Sequence, residues 1–273
     1  MELGMSSIFF DELDCGDMVR EFAAVGFTNI EISQKHTEEL VEKKISADFI
    51  KFIESINFRI TQGRLSVFDP GGILSADNIY VIDSLKRNLD LYLDLGVKVA
   101  VLRSRDCDGA EPGTERFERM VDTLKQLADY INGTGMSICF ENTSCSLDYD
   151  AGRLLCLVKT VNNPHVGICL NTGRLNISQK GDPYHFVRQA DSFLRALHIN
   201  DNLGEHHGIA GEECDLRLLP FDRGNINWEG LKTGLREIDY QFLFCFDIGC
   251  RQYPIEVKRV TARYLRDMYE FFV

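Results

Sequence analysis

Eight times along the chain, a short and continuously apolar run is followed by a segment whose apolar residues recur at helical spacing. The runs are ELGMSSIFF (2–10), NIEIS (29–33), FRITQGRL (58–65), VKVAVLR (97–103), MSICFE (136–141), VGICLN (166–171), LRALHIN (194–200) and FLFCFDI (242–248). They read as strands, and their apolar character throughout, without alternation, marks strands buried on both faces. Strict alternation of β and α elements implies a parallel sheet, and eight such units closed on themselves make a (β/α)8 barrel, the TIM barrel of the α/β class.

The intervening helices carry start and stop signals. Residues 17–25 read as a short helix, and Ser46 is placed to cap one with Phe49, Ile50, Ile53 and Ile56 on one face. Residues 77–95 put Ile79, Ile82, Leu85, Leu89 and Leu93 at helical spacing, and Gly96 ends that helix. The same pattern runs over 115–131 and from Asp148 to about Val161. Asp182-Pro183 is a cap followed by proline at the first helical position, Asn227 caps a helix carrying Trp228, Leu231, Leu235 and Ile238, and 255–271 form a last helix. An open doubly wound sheet, the competing fold, would carry a glycine-rich phosphate turn after the first strand, and SSIFFDELDCG has none. No linker or composition shift interrupts the pattern, so residues 1–273 are expected to form one domain, a length that suits a single barrel. One connection stands out: residues 200–226 exceed the roughly 12–15 residues usual for a loop, and they hold His206, His207, Asp215, Arg217 and Asp222.

Charge and cysteine usage narrow the function. The net charge is −12, so nucleic acid is not an expected partner. Nine cysteines without a C-x-x-C, several inside apolar runs, point to reduced buried thiols and a cytoplasmic compartment. The N-terminal residues lack the basic region and apolar core of a signal peptide, and no apolar run reaches the ~18 residues of a membrane span. Assembly into a homo-oligomer is compatible with all of this.

In a barrel, the C-terminal strand ends line the site. Polar residues at the C-terminal ends of the four late strands are Glu141, Asn171, His198 and Asp247. One carboxylate after a strand is often only a cap or a solvated loop residue. Four oxygen or nitrogen donors on consecutive strands converge on one point, which suits a divalent cation or a pair of carboxylates working as acid and base. Glu31, Arg64, Arg103 and Arg105 stand at or just beyond the ends of strands 2 to 4.

ICFENTS (138–144), HVGICLNTGR (165–174), LHINDN (197–202), RLLPFDRGNINW (217–228) and LFCFDI (243–248) together resemble the xylose isomerase-like barrels, a superfamily of sugar isomerases, sugar epimerases, inosose dehydratases and endonuclease IV. The resemblance implies one divalent metal (Mn, Mg, Zn or Co) held by Glu141, Asn171, His198 and Asp247. It also implies proton transfer by Glu141 and Asp247, and a small carbohydrate as substrate. The chain departs from the family pattern at four places. The strand-6 Asp is Asn171, the strand-8 Glu is Asp247, and two His are replaced by Arg174 and Arg217. Arginine cannot ligate a metal and remains charged, but it does bind carboxylates and phosphates. Arg174 and Arg217, with Arg64 and Arg103, are therefore expected to bind substrate. Loss of the strand-3 and strand-4 histidines to arginine argues against a DNA-repair enzyme of the endonuclease IV kind. The leading expectation is a sugar, sugar-acid or sugar-phosphate isomerase or epimerase. An inosose dehydratase-like lyase and a metal-free barrel that only binds an anion remain as alternatives.

Overall fold

The computed structural model describes residues 1–65, 78–103, 112–142, 151–179, 181–204, 219–250 and 252–273. Its strands are β1 (Glu2–Ser6), β2 (Asn29–Ile32), β3 (Arg59–Arg64), β4 (Val99–Leu102), β5 (Ser137–Glu141), β6 (Val166–Asn171), β7 (Leu194–Ile199) and β8 (Leu243–Phe246). Each pairs in parallel with the next, and β8 returns to β1, so the expected TIM barrel is closed. The helices are α1 (Cys15–Ala24), α2 (Gln34–Lys43), α3 (Ser46–Ser55), α4 (Asn78–Asp94), α5 (Glu115–Tyr130), α6 (Ala151–Val161), α7 (Thr172–Gln179), α8 (Pro183–Ala190), α9 (Trp228–Glu237) and α10 (Ile255–Tyr269). Among the described residues no helix is long and apolar enough to cross a membrane.

Caps fix several entries. Asp182 accepts from the Tyr184 amide with Pro183 at the first helical position, and Asn227 accepts from the Gly230 amide. Gly96 adopts φ +77° behind α4, a conformation that only glycine reaches without strain.

Three expectations needed correction. The first strand stops at Ser6, because residues 7–10 wind into a 3-10 turn that buries Phe9 and Phe10 against Phe22. Ser46 does not cap α3 but is its first residue, after Ile45, since α2 ends in a left-handed Lys44 (φ 53°) that leads straight into α3. Helices α2 and α7 are additional. The start proposed at Asp148 lies outside the described residues.

Core packing has two parts. The outer shell, between strands and helices, is built from Leu, Ile, Val and Phe side chains. At about 1.5–3 kcal/mol per fully buried large apolar side chain, it is the main force closing the ring of helices around the sheet. The barrel interior holds smaller groups: Val99, Val101, Cys139, Cys169 and Ala196 pack as their own cluster. All six described cysteines are free, and five of them are buried. Small interior residues leave the upper end of the barrel axis to longer polar side chains, and the site lies there.

Candidate active site

Strand alternation decides which side chains enter the barrel. On β5, β6 and β7, Cys139 and Glu141, Cys169 and Asn171, and Ala196 and His198 lie two residues apart, so the polar member of each pair stands above the small one. Asp247 follows β8, and Glu31, Gln62 and Arg64 project from β2 and β3. Glu31, Gln62 and His198 are fully buried, and Glu141, Asn171 and Asp247 nearly so.

His198 is the hub. Its Nδ1 lies 2.7 Å from Glu141 Oε1 and its Nε2 lies 2.6 Å from Glu31 Oε2. Ionised carboxylates only accept, so the two short contacts favour a proton on each nitrogen, while the Gln62 and Arg64 N–H donors stand farther from Nε2, at 3.3 Å. Burial opposes the resulting positive charge, but the Glu31 and Glu141 carboxylates outweigh it, holding His198 well above the usual histidine range. Burial likewise opposes ionisation of Glu141. His198, then Arg174 and Arg64, overcome it and hold the carboxyl well below its usual range. For Glu31, Arg64 and then His198 overcome the same burial and keep the carboxyl low.

The second centre is Arg64. Its Nη2 donates to Glu31 Oε1 at 2.9 Å and meets Asp247 Oδ1 at 2.9 Å. Gln62 Nε2 donates to Glu31 Oε2 at 2.8 Å. From outside the barrel, the Tyr92 hydroxyl of α4 donates to the Arg64 carbonyl at 2.7 Å, and Thr37 Oγ1 lies 3.1 Å from the same hydroxyl.

Asn171 is held in one orientation. Its Oδ1 accepts from the Arg174 backbone amide at 3.1 Å, a group that can only donate, so the amide cannot be flipped. Its Nδ2 therefore faces Glu141 Oε1, at 2.8 Å. Asn200 Nδ2 also donates to Asn171 Oδ1, at 3.2 Å. Arg174 is buried in the first turn of α7. Arg103 is half-buried just past β4. Arg217, with Arg105, His206, His207 and Asp215, lies outside the described residues. Trp228 packs against Phe221 and Phe272 and donates its indole N–H to Asp201 Oδ2 at 3.2 Å.

The model for the xylose isomerase-like TIM barrel matches residues 19–268. The chain belongs to that family. No functionally curated protein matches it in sequence. Solved barrels of similar shape include the IolI protein with a bound zinc atom (TM-score 0.82, 20% identity, 100% of this chain and 99% of the other). D-psicose 3-epimerase from Clostridium cellulolyticum H10, solved with D-tagatose, aligns at TM-score 0.80 and 18% identity over 100% and 99%. L-ribulose 3-epimerase aligns at TM-score 0.78 and 17% identity over 100% and 94%.

Does this family member's mouth fit a divalent ion? Glu141, Cys169 and His198 offer ligand atoms within 4.8 Å of one another. Both His198 nitrogens, however, are engaged by carboxylates, and burial raises the Cys169 thiol to about 11. Of the four strand-end residues implied by resemblance, Asn171 turns its N–H and not its oxygen to the centre, and Asp247 is ion-paired with Arg64. In this arrangement the four do not form a ring of donors around one point, and the donor set does not fit a divalent ion.

A cavity of about 540 Å³ opens at the opposite end of the barrel, among Ile50, Ile53, Phe58, Leu93, Leu95 and Phe242. The buried ionisable cluster lies instead at the mouth, the end at which barrels of this kind carry their sites.

Glu31 was visible from sequence as a strand-end acid, but its partnership with His198 was not. Gln62 carries its own signal, a polar residue inside an apolar strand, which marks an inward-facing group.

Proposed function

We propose that this chain is an isomerase or epimerase of a small sugar or sugar-derived acid, working by proton abstraction next to a carbonyl at the C-terminal mouth of the barrel. The observation that carries this reading is the network of three buried carboxylates, Glu31, Glu141 and Asp247, cross-linked by His198 and Arg64 on five strand ends. Its kinship with sugar-epimerase barrels supports the substrate class.

In the proposed step, the carboxylate of Asp247 or Glu141 takes the proton from the carbon beside the carbonyl. The C–H electron pair forms a C=C bond as the carbonyl π pair moves onto its oxygen, giving an enediolate that nearby cationic groups stabilise. Return of a proton to the opposite face gives the epimer, and return to the neighbouring carbon gives the isomer. Arg174, Arg103 and Arg217 bind the hydroxyl or anionic groups of the substrate. A second reading, a barrel that only binds an anion, is favoured by the Asn171 orientation, which ties up Glu141.

The experiment is proton–deuterium exchange. Ketoses, aldoses and their acids and phosphates are incubated with the protein in D2O and followed by NMR. Exchange at one carbon, lost in Glu141→Gln and Asp247→Asn, is the expected result. Ligand-dependent thermal shifts without exchange across the panel would establish the binding-only barrel.

A further inference from the structure

We propose that the Arg64 guanidinium is the resident cation of this mouth, carrying the positive charge that a divalent ion would otherwise supply, so that the site works without metal. The oxyanion role of Arg64 rests on the reading above; its metal independence does not.

Three observations converge on Arg64. Its Nη2 bridges oxygens of Glu31 and Asp247, each at 2.9 Å. Those residues come from β2 and from just past β8, the two neighbours of β1, so a β3 side chain closes the arc above β1. Arginine stays protonated across the accessible pH range, so this charge is permanent.

The placement is also built. Tyr92, fully buried, holds the Arg64 carbonyl from behind, and the preceding Gly63 lets its ring approach: a Cβ at Gly63 would lie 2.6 Å from Tyr92 Cε2. A side chain backed in this way presents its charge at one point, as electrostatic catalysis requires.

Capacity remains. Among the described residues, Arg64 Nε and Gln62 Oε1 are buried without a hydrogen-bond partner. One N–H and one acceptor thus stand next to the ion-paired cluster for an oxygen and a hydroxyl of the bound molecule. Asn171, neutral where the family has an acid, removes one of the charges that a metal would balance.

The test reads metal and chemistry separately. Protein purified without chelator is dialysed against about 1 mM Mn²⁺, Co²⁺, Zn²⁺ or Mg²⁺ and analysed for bound metal and thermal midpoint. Expected are far fewer ions than chains, and a midpoint moved by less than about 1 °C by metal or EDTA. About one ion per chain, with a midpoint that falls several degrees in EDTA, would overturn the proposal. The double variant Arg64→Met/Asn171→Asp, which removes the resident charge and restores an acid, is expected to gain about one Mn²⁺ per chain. If it keeps the wild-type circular dichroism and binds none, Arg64 does not occupy the metal's place. Arg64→Lys, which keeps a charge, is expected to stay metal-free. Proton exchange that persists in EDTA supports both readings, and exchange that requires added metal sinks this one while leaving the isomerase standing. Absence of exchange with every sugar sinks the isomerase alone, because metal binding is decided independently.

Discussion

Asn171→Asp is the perturbation that the site should resist most. The wild-type amide nitrogen lies 2.8 Å from Glu141 Oε1, and its oxygen is fixed by the Arg174 amide. An aspartate therefore presents a carboxylate oxygen to a carboxylate oxygen. At an effective dielectric of 20, two unit charges at that separation repel by about 6 kcal/mol. Retaining one proton between the two acids is the cheaper alternative. Keeping a proton on a group that in the unfolded chain titrates near 3.9 costs about 4 kcal/mol at pH 7 and about 1.5 kcal/mol at pH 5. The lower cost wins at both values, and the shared proton restores a hydrogen bond where the amide had made one. The pair's raised folded pKa fixes the sign: the variant approaches wild-type stability below the unfolded aspartate pKa and falls away as pH rises. Urea unfolding at pH 5 and pH 7 should show a stability deficit larger by about 2.7 kcal/mol at the higher pH. The variant should still fold at pH 5, given a typical stability of about 5–15 kcal/mol. An equal deficit at both values would refute the assigned amide orientation.

Two further outcomes follow from the same contacts. Glu141 is held below the usual carboxylate range, so its contribution is complete above that range and is lost as pH falls through its folded pKa. Urea midpoints of wild type and Glu141→Gln should therefore converge as pH falls below the usual carboxylate range, and a constant gap would count against the buried ion pairing. Gly63→Ala forces a methyl into the Tyr92 ring, which is anchored at both Thr37 and Arg64, and should cost about 1–3 kcal/mol by urea unfolding.

The eight strands could be read because barrel strands bury both faces, which leaves unbroken apolar runs such as VGICLN. Helix α2 could not, since two of its three buried residues, His36 and Thr37, are polar. His36 is satisfied by the Ser7 and Ser33 hydroxyls and the Leu13 carbonyl, so hydrophobic periodicity has nothing to register. In the site, Glu141, His198 and Asp247 are legible because each is a polar residue at or just past the end of a late apolar strand. The Glu31–His198 contact joins residues 167 positions apart across the barrel, and no local pattern encodes it. The direction of the Asn171 amide depends on one backbone N–H in the next helix, a detail that a strand-end rule does not reach.

The reach of His198 has a consequence for how this chain can change. Strands β2, β5 and β7 are not neighbours in the ring, yet one imidazole ties all three, like a spoke fixed to separate points of a rim. The groups proposed to move protons thus also brace the barrel against opening. Substitutions at positions 31, 141 and 198 are therefore expected to change stability as well as any activity. In a screen for new substrates, replacements there should lower stability along with any change they make to activity. Altered specificity should emerge first from residues outside this network.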